Sequence, residues 1–224
     1  MFAWAAPIIR GLALLSSDPA AHRLLAATAV AVIVGELVAT YLGQGRDRQR
    51  LLDVMSDSLH LRGSGPATRQ DRGTRLGVAV GAYLGIAAAI SIARVPRLRD
   101  YANNWWTLGL GIAIVVAGAG LRDWSIVSLG RWFRREVTIE PGQRLVRRGP
   151  YRVLRHPSYA GLALIFTGFG LAIGSWLGAA AALVLVLAGM LPRIRVEESA
   201  LANAFGAEYT EYASTRARLV PGVW

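Results

Sequence analysis

The chain has 224 residues, 54% of them hydrophobic and only 17% charged, and a formal net charge of +11. Soluble domains carry roughly 25% charged residues; here apolar residues gather in long blocks with the charges between them, which excludes a disordered chain and points away from a soluble domain. Cysteine and lysine are absent, so all 25 basic residues are arginine, and disulfides, thiol nucleophiles, Schiff bases and a lysine phosphate loop are excluded.

The elements follow from the apolar blocks. Residues 1–17 are mildly hydrophobic and interrupted by Arg10, which suits an interfacial or partial helix rather than a span. Three spans are expected at about 22–42, 76–95 and 105–121. The next apolar block, about 159–192, is too long for one span. It splits into two helices of about 16–20 residues with a tight turn near Gly174–Ser175. The expected fold is an all-α integral membrane bundle of about five transmembrane helices. It has a tight hairpin between the fourth and fifth and a C-terminal cytoplasmic helix. Abundant Ala and Gly in the apolar runs predict close helix packing. Residues 1–100 form an N-terminal region with two spans and an arginine-rich loop; residues 101–224 form the core with the candidate site.

The arginines orient this bundle. Loop 44–75 holds seven, segment 122–155 nine and the tail beyond Pro192 four, leaving Arg10, Arg23, Arg94, Arg97 and Arg99 on the other side. The positive-inside rule makes the larger set cytoplasmic, with the N-terminus outside and the C-terminus in, as for a bacterial inner-membrane protein. Charge at span ends suits anionic lipid headgroups better than nucleic acid, for which no partner role is expected. His22, His60 and His156 match no zinc spacing, so no metal is expected either. Oligomeric state is not readable from the chain.

Polar residues concentrate in segments 140–161 and 192–224, which the hairpin returns to one face. Pro157 suits the first position of a helix. The free N–H groups and positive dipole end there, with Arg152, Arg155 and His156 alongside, would hold an anion such as an amino-acid carboxylate. Pro192 is expected to bend the fifth helix, with Glu197 and Glu198 just past its end. That acidic pair suits an amine, a sulfonium or ribose hydroxyls; salt bridging to Arg193 or Arg195 is the bland alternative. Leu201, Phe205, Tyr209 and Tyr212 predict an amphipathic helix broken at Gly206. Taken alone these four, like Trp132, Phe133 and Trp224, read as ordinary interfacial anchors. Glu36 is the one clear acid within a span, either functional, or snorkelling to the interface or held by a hydrogen bond inside the bundle.

These residues form a pattern: GPYR at 149–152, RHPSYAG at 155–161, Glu197–Glu198, Phe205–Gly206, Glu208–Tyr209, Tyr212 and RLVPG at 218–222. It resembles the isoprenylcysteine carboxyl methyltransferase family, within the membrane methyltransferases that include phospholipid methyltransferases. Segment 121–133 resembles the family's approach to this core, so the resemblance covers about residues 104–224.

The resemblance implies an S-adenosylmethionine-dependent enzyme whose lipid substrate enters from the bilayer. Carried over by position, Arg152, Arg155, His156, Tyr159, Glu197, Glu198 and Tyr209 would lie at the cofactor. Arg218, with Arg216 and Glu198, would serve the reaction. The family often has a further arginine at the place of Thr215, and Arg216 is its nearest stand-in. A carboxylate acceptor, prenylcysteine-like or otherwise lipophilic, needs alignment but no general base. An amine or hydroxyl acceptor, as on a phospholipid, would need a proton acceptor, for which Glu198 is the local candidate. A nicotinamide-dependent membrane sterol reductase and a non-enzymatic scaffold are the rival classes.

Overall fold

The computed structural model describes residues 19–43, 74–95, 105–133 and 142–222. Expectations for residues 1–17, the 44–73 loop, His60 and Trp224 lie outside the described residues, as does any statement about the side chain of His22. Among the described residues the helices are α1 (Pro19–Gly43), α2 (Thr74–Ala93), α3 (Trp105–Leu129), α4 (Pro157–Ala172), α5 (Trp176–Phe205) and α6 (Ala207–Ser214). Short 3-10 turns lie at Gly130–Trp132 and Gly149–Arg152.

Four of these, α1, α2, α3 and α5, are long and apolar enough to cross a membrane. Their outer faces carry exposed aliphatic stripes, such as Val30, Val34 and Val38 on α1 and Val80 and Leu84 on α2. The i, i+4 spacing places each stripe on one face. Such a surface is costly in water and ordinary in hydrocarbon. The chain is therefore an all-α integral membrane bundle. α4, with 16 residues, is ~24 Å long at 1.5 Å per residue. Most of its residues are buried, among them Ile165, Phe166 and Phe169.

Glycine sets the packing. α4 lies along α3, α2 along α5, and α1 on the outside of α3. A Cβ added at Gly118 would stand 2.7 Å from the Gly161 carbonyl oxygen, and one at Gly161 would stand 2.5 Å from that of Gly118. About two helical turns further along, a Cβ at Gly168 would stand 2.7 Å from the Gly111 carbonyl oxygen. Gly81 and Gly85 of α2 meet the backbone of Leu185, Gly189 and Ala182 of α5 in the same way. Lipid offers no hydrophobic drive for helix association, so this backbone-to-backbone approach supplies it through van der Waals contact.

The expected turn is present. α4 ends at Ala172, Gly174 turns the chain at φ 93°, and the Ser175 hydroxyl caps α5 by accepting from the Gly178 N–H at 3.1 Å. Pro157 begins α4, with His156 as its N-cap residue. Two details differ from expectation. α5 does not end near Pro192; it runs through that proline to Phe205, where Gly206 at φ 54° separates it from α6. Glu197 and Glu198 therefore stand within α5, not past its end. Pro192 is exposed, while Arg193 and Ile194 after it are buried and hold the helix to the bundle. At 30 residues, α5 is ~45 Å long, more than a ~30 Å hydrocarbon core requires. Leu201 and Phe205 likewise belong to α5, so only Tyr209 and Tyr212 lie on the short helix α6.

A valine at Gly161 would need α3 and α4 to move apart. Gly161→Val is expected to lower stability by about 1–3 kcal/mol, the usual cost of overpacking, read as a lower melting temperature in detergent. Substitution at Gly109, which has nothing within 4 Å, is the control and should change little.

Candidate active site

Three separate chain segments converge beside the start of α4. The first is the turn and extended stretch before it. Arg148 Nε donates to the Ser128 carbonyl at 3.1 Å, tying the Gly149–Arg152 turn to the end of α3. The second is the outer part of α5. The third is the tail after α6, which lies parallel to residue 154: the Arg155 N–H donates to the Ala217 carbonyl at 2.8 Å and the His156 N–H to that of Arg218 at 3.1 Å.

The centre of the convergence is the Glu198 carboxylate. Arg155 Nη1 lies 2.7 Å from its Oε1. Arg218 Nε donates to both oxygens at 3.1 and 3.0 Å, and Nη2 sits 2.9 Å from Oε2. His156 Nε2 is 3.2 Å from Oε1. An ionised carboxylate only accepts, so His156 carries its proton on Nε2 in this contact. His156 is buried and Glu198 nearly so, which makes each of these contacts stronger than its counterpart in water. Beside them the Tyr159 hydroxyl donates to Glu197 Oε2 at 2.9 Å and accepts from Arg193 Nε at 2.7 Å.

Some polar groups here are unsatisfied. The Tyr209 phenol faces the Arg155 guanidinium, yet neither its hydroxyl nor Arg155 Nε completes a hydrogen bond, and both are buried. Arg216 Nε is also buried without a partner, although its Nη1 donates to the Thr215 carbonyl at 3.0 Å. A buried polar group without a partner costs stability, so the Tyr209 hydroxyl and Arg155 Nε, which face each other, mark a place that a polar ligand would complete.

The structure thus brings together Arg155, His156, Tyr159, Glu197, Glu198, Tyr209 and Arg218, with Arg216 adjacent in the tail. Arg152 is exposed and makes no hydrogen bond to the cluster. Glu198 pairs across elements rather than with Arg193 or Arg195 on its own helix. The carboxylate that meets Arg155 and His156 is Glu198's own, where the sequence suggested a ligand's. Residues to which the sequence reading gave no part in the site also contribute. Arg193, next to Pro192 in an apolar helix, is buried against Tyr159. Tyr212, which reads as a surface anchor, is a buried latch: its hydroxyl donates to the Tyr151 carbonyl at 2.8 Å and lies 3.3 Å from that of Leu154. Arg147 joins the same latch, pairing with Glu208 at 3.2 Å and lying over the Tyr212 ring at 5.9 Å.

A family model described as "Isoprenylcysteine carboxyl methyltransferase (ICMT) family" matches residues 110–203. Protein-S-isoprenylcysteine O-methyltransferase B of Arabidopsis thaliana is 32% identical over 134 residues, covering 59% of this chain and 68% of that protein. Protein-S-isoprenylcysteine O-methyltransferase A of the same plant is 34% identical over 123 residues, covering 54% of this chain and 62% of that protein. The solved structure of a eukaryotic intramembrane Ras methyltransferase is similar in fold, with a TM-score of 0.62 at 21% identity, covering 98% of this chain and 74% of that one. Together with the bundle and its charged site, these matches define a membrane-embedded methyltransferase. The chain belongs to the isoprenylcysteine carboxyl methyltransferase family.

The Tyr212 latch yields a pH prediction. Burial is the main cause that pushes its phenol up to about 12, above the ordinary value near 10. The stabilisation that goes with the neutral phenol is fully present below about pH 10 and is lost as pH rises through about 12. Melting temperature should therefore fall across that window more steeply in the wild type than in Tyr212→Phe. At pH 7 the same substitution should cost about 1–2 kcal/mol, because it strands two buried carbonyls.

Proposed function

We propose that this methyltransferase uses S-adenosylmethionine to esterify a prenylcysteine-like or other lipophilic carboxylate that reaches the site from the bilayer. The observation that carries this is the Glu198 carboxylate, held by Arg155, His156 and Arg218 with buried, unsatisfied donors around it. The donor set fits a zwitterionic sulfonium cofactor. Glu197 suits its positive groups or ribose hydroxyls, Glu198 fixes the guanidiniums around the site, and Arg155 and Tyr209 have hydrogen-bonding capacity left for its carboxylate. When bound, the cofactor supplies an activated methyl group, which passes to a carboxylate oxygen as the sulfonium becomes a thioether.

The chain's own residues then have to align and to exclude water. Acceptor alignment was expected of Arg218, but its Nε and Nη2 are committed to Glu198. Arg216 has the unsatisfied Nε, and a guanidinium fork can hold a carboxylate, so the acceptor role falls to Arg216. The same geometry weighs against an amine or hydroxyl acceptor. Both Glu198 oxygens already receive donors, so none is aimed at a substrate proton. The names of the Arabidopsis relatives support the carboxylate class.

The same proposal includes topology: five spans, N-terminus outside and C-terminus cytoplasmic. The turn at Gly174 supports it by returning both ends of the α4–α5 hairpin to one face. Exposed Trp105 and Trp106 at one end of α3, and Trp124 near the other, suit the two interfaces. Arg122 is a correction to the arginine count, because it lies inside α3 rather than in the loop after it. The remaining arginine excess still favours anionic lipids on the cytoplasmic face.

Cofactor affinity by calorimetry and radiolabelled methyl transfer to a prenylcysteine analogue test the division of roles. Glu198→Gln and His156→Ala should each weaken cofactor binding. Arg218→Ala should weaken it too, because it releases Glu198. Arg216→Ala should leave cofactor affinity within about twofold while methyl transfer falls roughly ten- to a thousandfold, the scale of an alignment or charge contact. Unchanged affinity and rate in Glu198→Gln would reduce the cluster to a structural salt bridge.

A further inference from the structure

Glu36 lies in α1, outside the residues that match the family model. It is buried and reaches across to α3, where Arg122 Nε sits 3.2 Å from its Oε2 and Nη2 3.0 Å from its Oε1. The two side chains are only 10% and 15% exposed. The remaining Arg122 nitrogen, Nη1, donates to the Ser158 hydroxyl at 2.8 Å and lies 3.4 Å from the Ser158 carbonyl. Gly35 makes room for the approach: a Cβ there would stand 2.8 Å from Asp123 Oδ2. One arginine thus joins α1, α3 and the first turn of α4.

Holding helices together does not by itself call for these groups. A buried ion pair is costly to desolvate, and apolar replacement of such pairs is often neutral or stabilising. Inside a span the cost is larger still. A bidentate guanidinium adds direction, since its planar fork fixes where the third nitrogen points. Here it points at Ser158, which sits between His156 and Tyr159. Those two residues face Glu198 and Glu197, and their rings lie 5.8 Å apart.

On the methyltransferase reading above, we infer that Glu36 and Arg122 are positioning residues for the cofactor site. Glu36 orients Arg122, Arg122 holds Ser158, and Ser158 holds the first turn of α4 in the register that presents His156 and Tyr159 to the acidic pair. Through Glu36, the N-terminal half of the chain thereby acts on a site that the described residues of that half do not touch.

The test uses the full chain in lipid nanodiscs. Ser158→Ala removes the arm to α4 and leaves the Glu36–Arg122 pair intact; Ser158→Thr keeps a hydroxyl. Three quantities are read: melting temperature, amide hydrogen exchange over residues 158–161, and kcat/KM for S-adenosylmethionine. Ser158→Ala is expected to change melting little, speed exchange in that turn and lower kcat/KM about tenfold, the scale of one charge-assisted hydrogen bond. Ser158→Thr should restore both. Glu36→Gln should give the same exchange and kinetic defects with a lower melting temperature, and Glu36→Asp should recover part of each. Wild-type exchange in Ser158→Ala overturns the inference. So does faster exchange with unchanged kcat/KM, because the network is then only structural. A wild-type protein that transfers no methyl group defeats the functional reading instead, and the exchange rates alone then decide whether the network orders the turn.

Discussion

One carboxylate organises the site. From α5, Glu198 gathers Arg155 and His156 at the start of α4 and Arg218 in the tail, adding a charged fastening to the backbone bonds that already join those two segments. Each contact is made mostly out of water, where an unpaired charge is far more costly than a paired one is favourable. The cluster is therefore strongly conditional. Remove the acid and two guanidiniums are left facing each other; remove the tail and the acid loses one of its partners. That interdependence holds the tail in place across the start of α4, with the Tyr212 hydroxyl on two backbone carbonyls as a second fastening.

The cluster can exist only because the helices beneath it are close together. Gly118 against Gly161 and Gly111 against Gly168 let α3 and α4 touch backbone to backbone, and Gly170 does the same for α4 against Ala179 of α5. With α3 and α4 locked, Arg122 can reach Ser158. With α4 and α5 locked, Tyr159 can bridge Glu197 and Arg193. Small residues in the apolar interior thus decide distances among charged residues at its rim. The length of α5 completes the arrangement, carrying its acids beyond what a hydrocarbon core requires.

Much of this was legible in the chain because it rests on local rules. Pro157 opens a helix, Gly174–Ser175 turns one, and Gly206 stops one, each by a local preference of the residues themselves. That the hairpin returns His156 and Glu198 to one face follows from its length. The end of α5 was not legible. Pro192 is a helix breaker by local preference, and α5 continues past it with Arg193 and Ile194 buried in the bundle and Glu197 and Glu198 bonded to partners distant in sequence. Arg122 and Tyr212 were misjudged for a related reason. One reads as a loop arginine and the other as an interfacial aromatic, and their partners lie 86 and 61 residues away in sequence. No periodicity records a contact at that separation. Glu36, by contrast, announced itself as an acid in a span, though nothing in its neighbourhood pointed to its partner.

We propose the charged convergence at Glu198 as the seat of a sulfonium cofactor in this membrane methyltransferase. Calorimetric titration of the purified protein with S-adenosylhomocysteine, set beside NADPH under the same conditions, tests it most directly. Saturable binding of S-adenosylhomocysteine, lost in Glu198→Gln, with no binding of NADPH is the predicted result. No heat from S-adenosylhomocysteine, or equal affinity for NADPH, would contradict it.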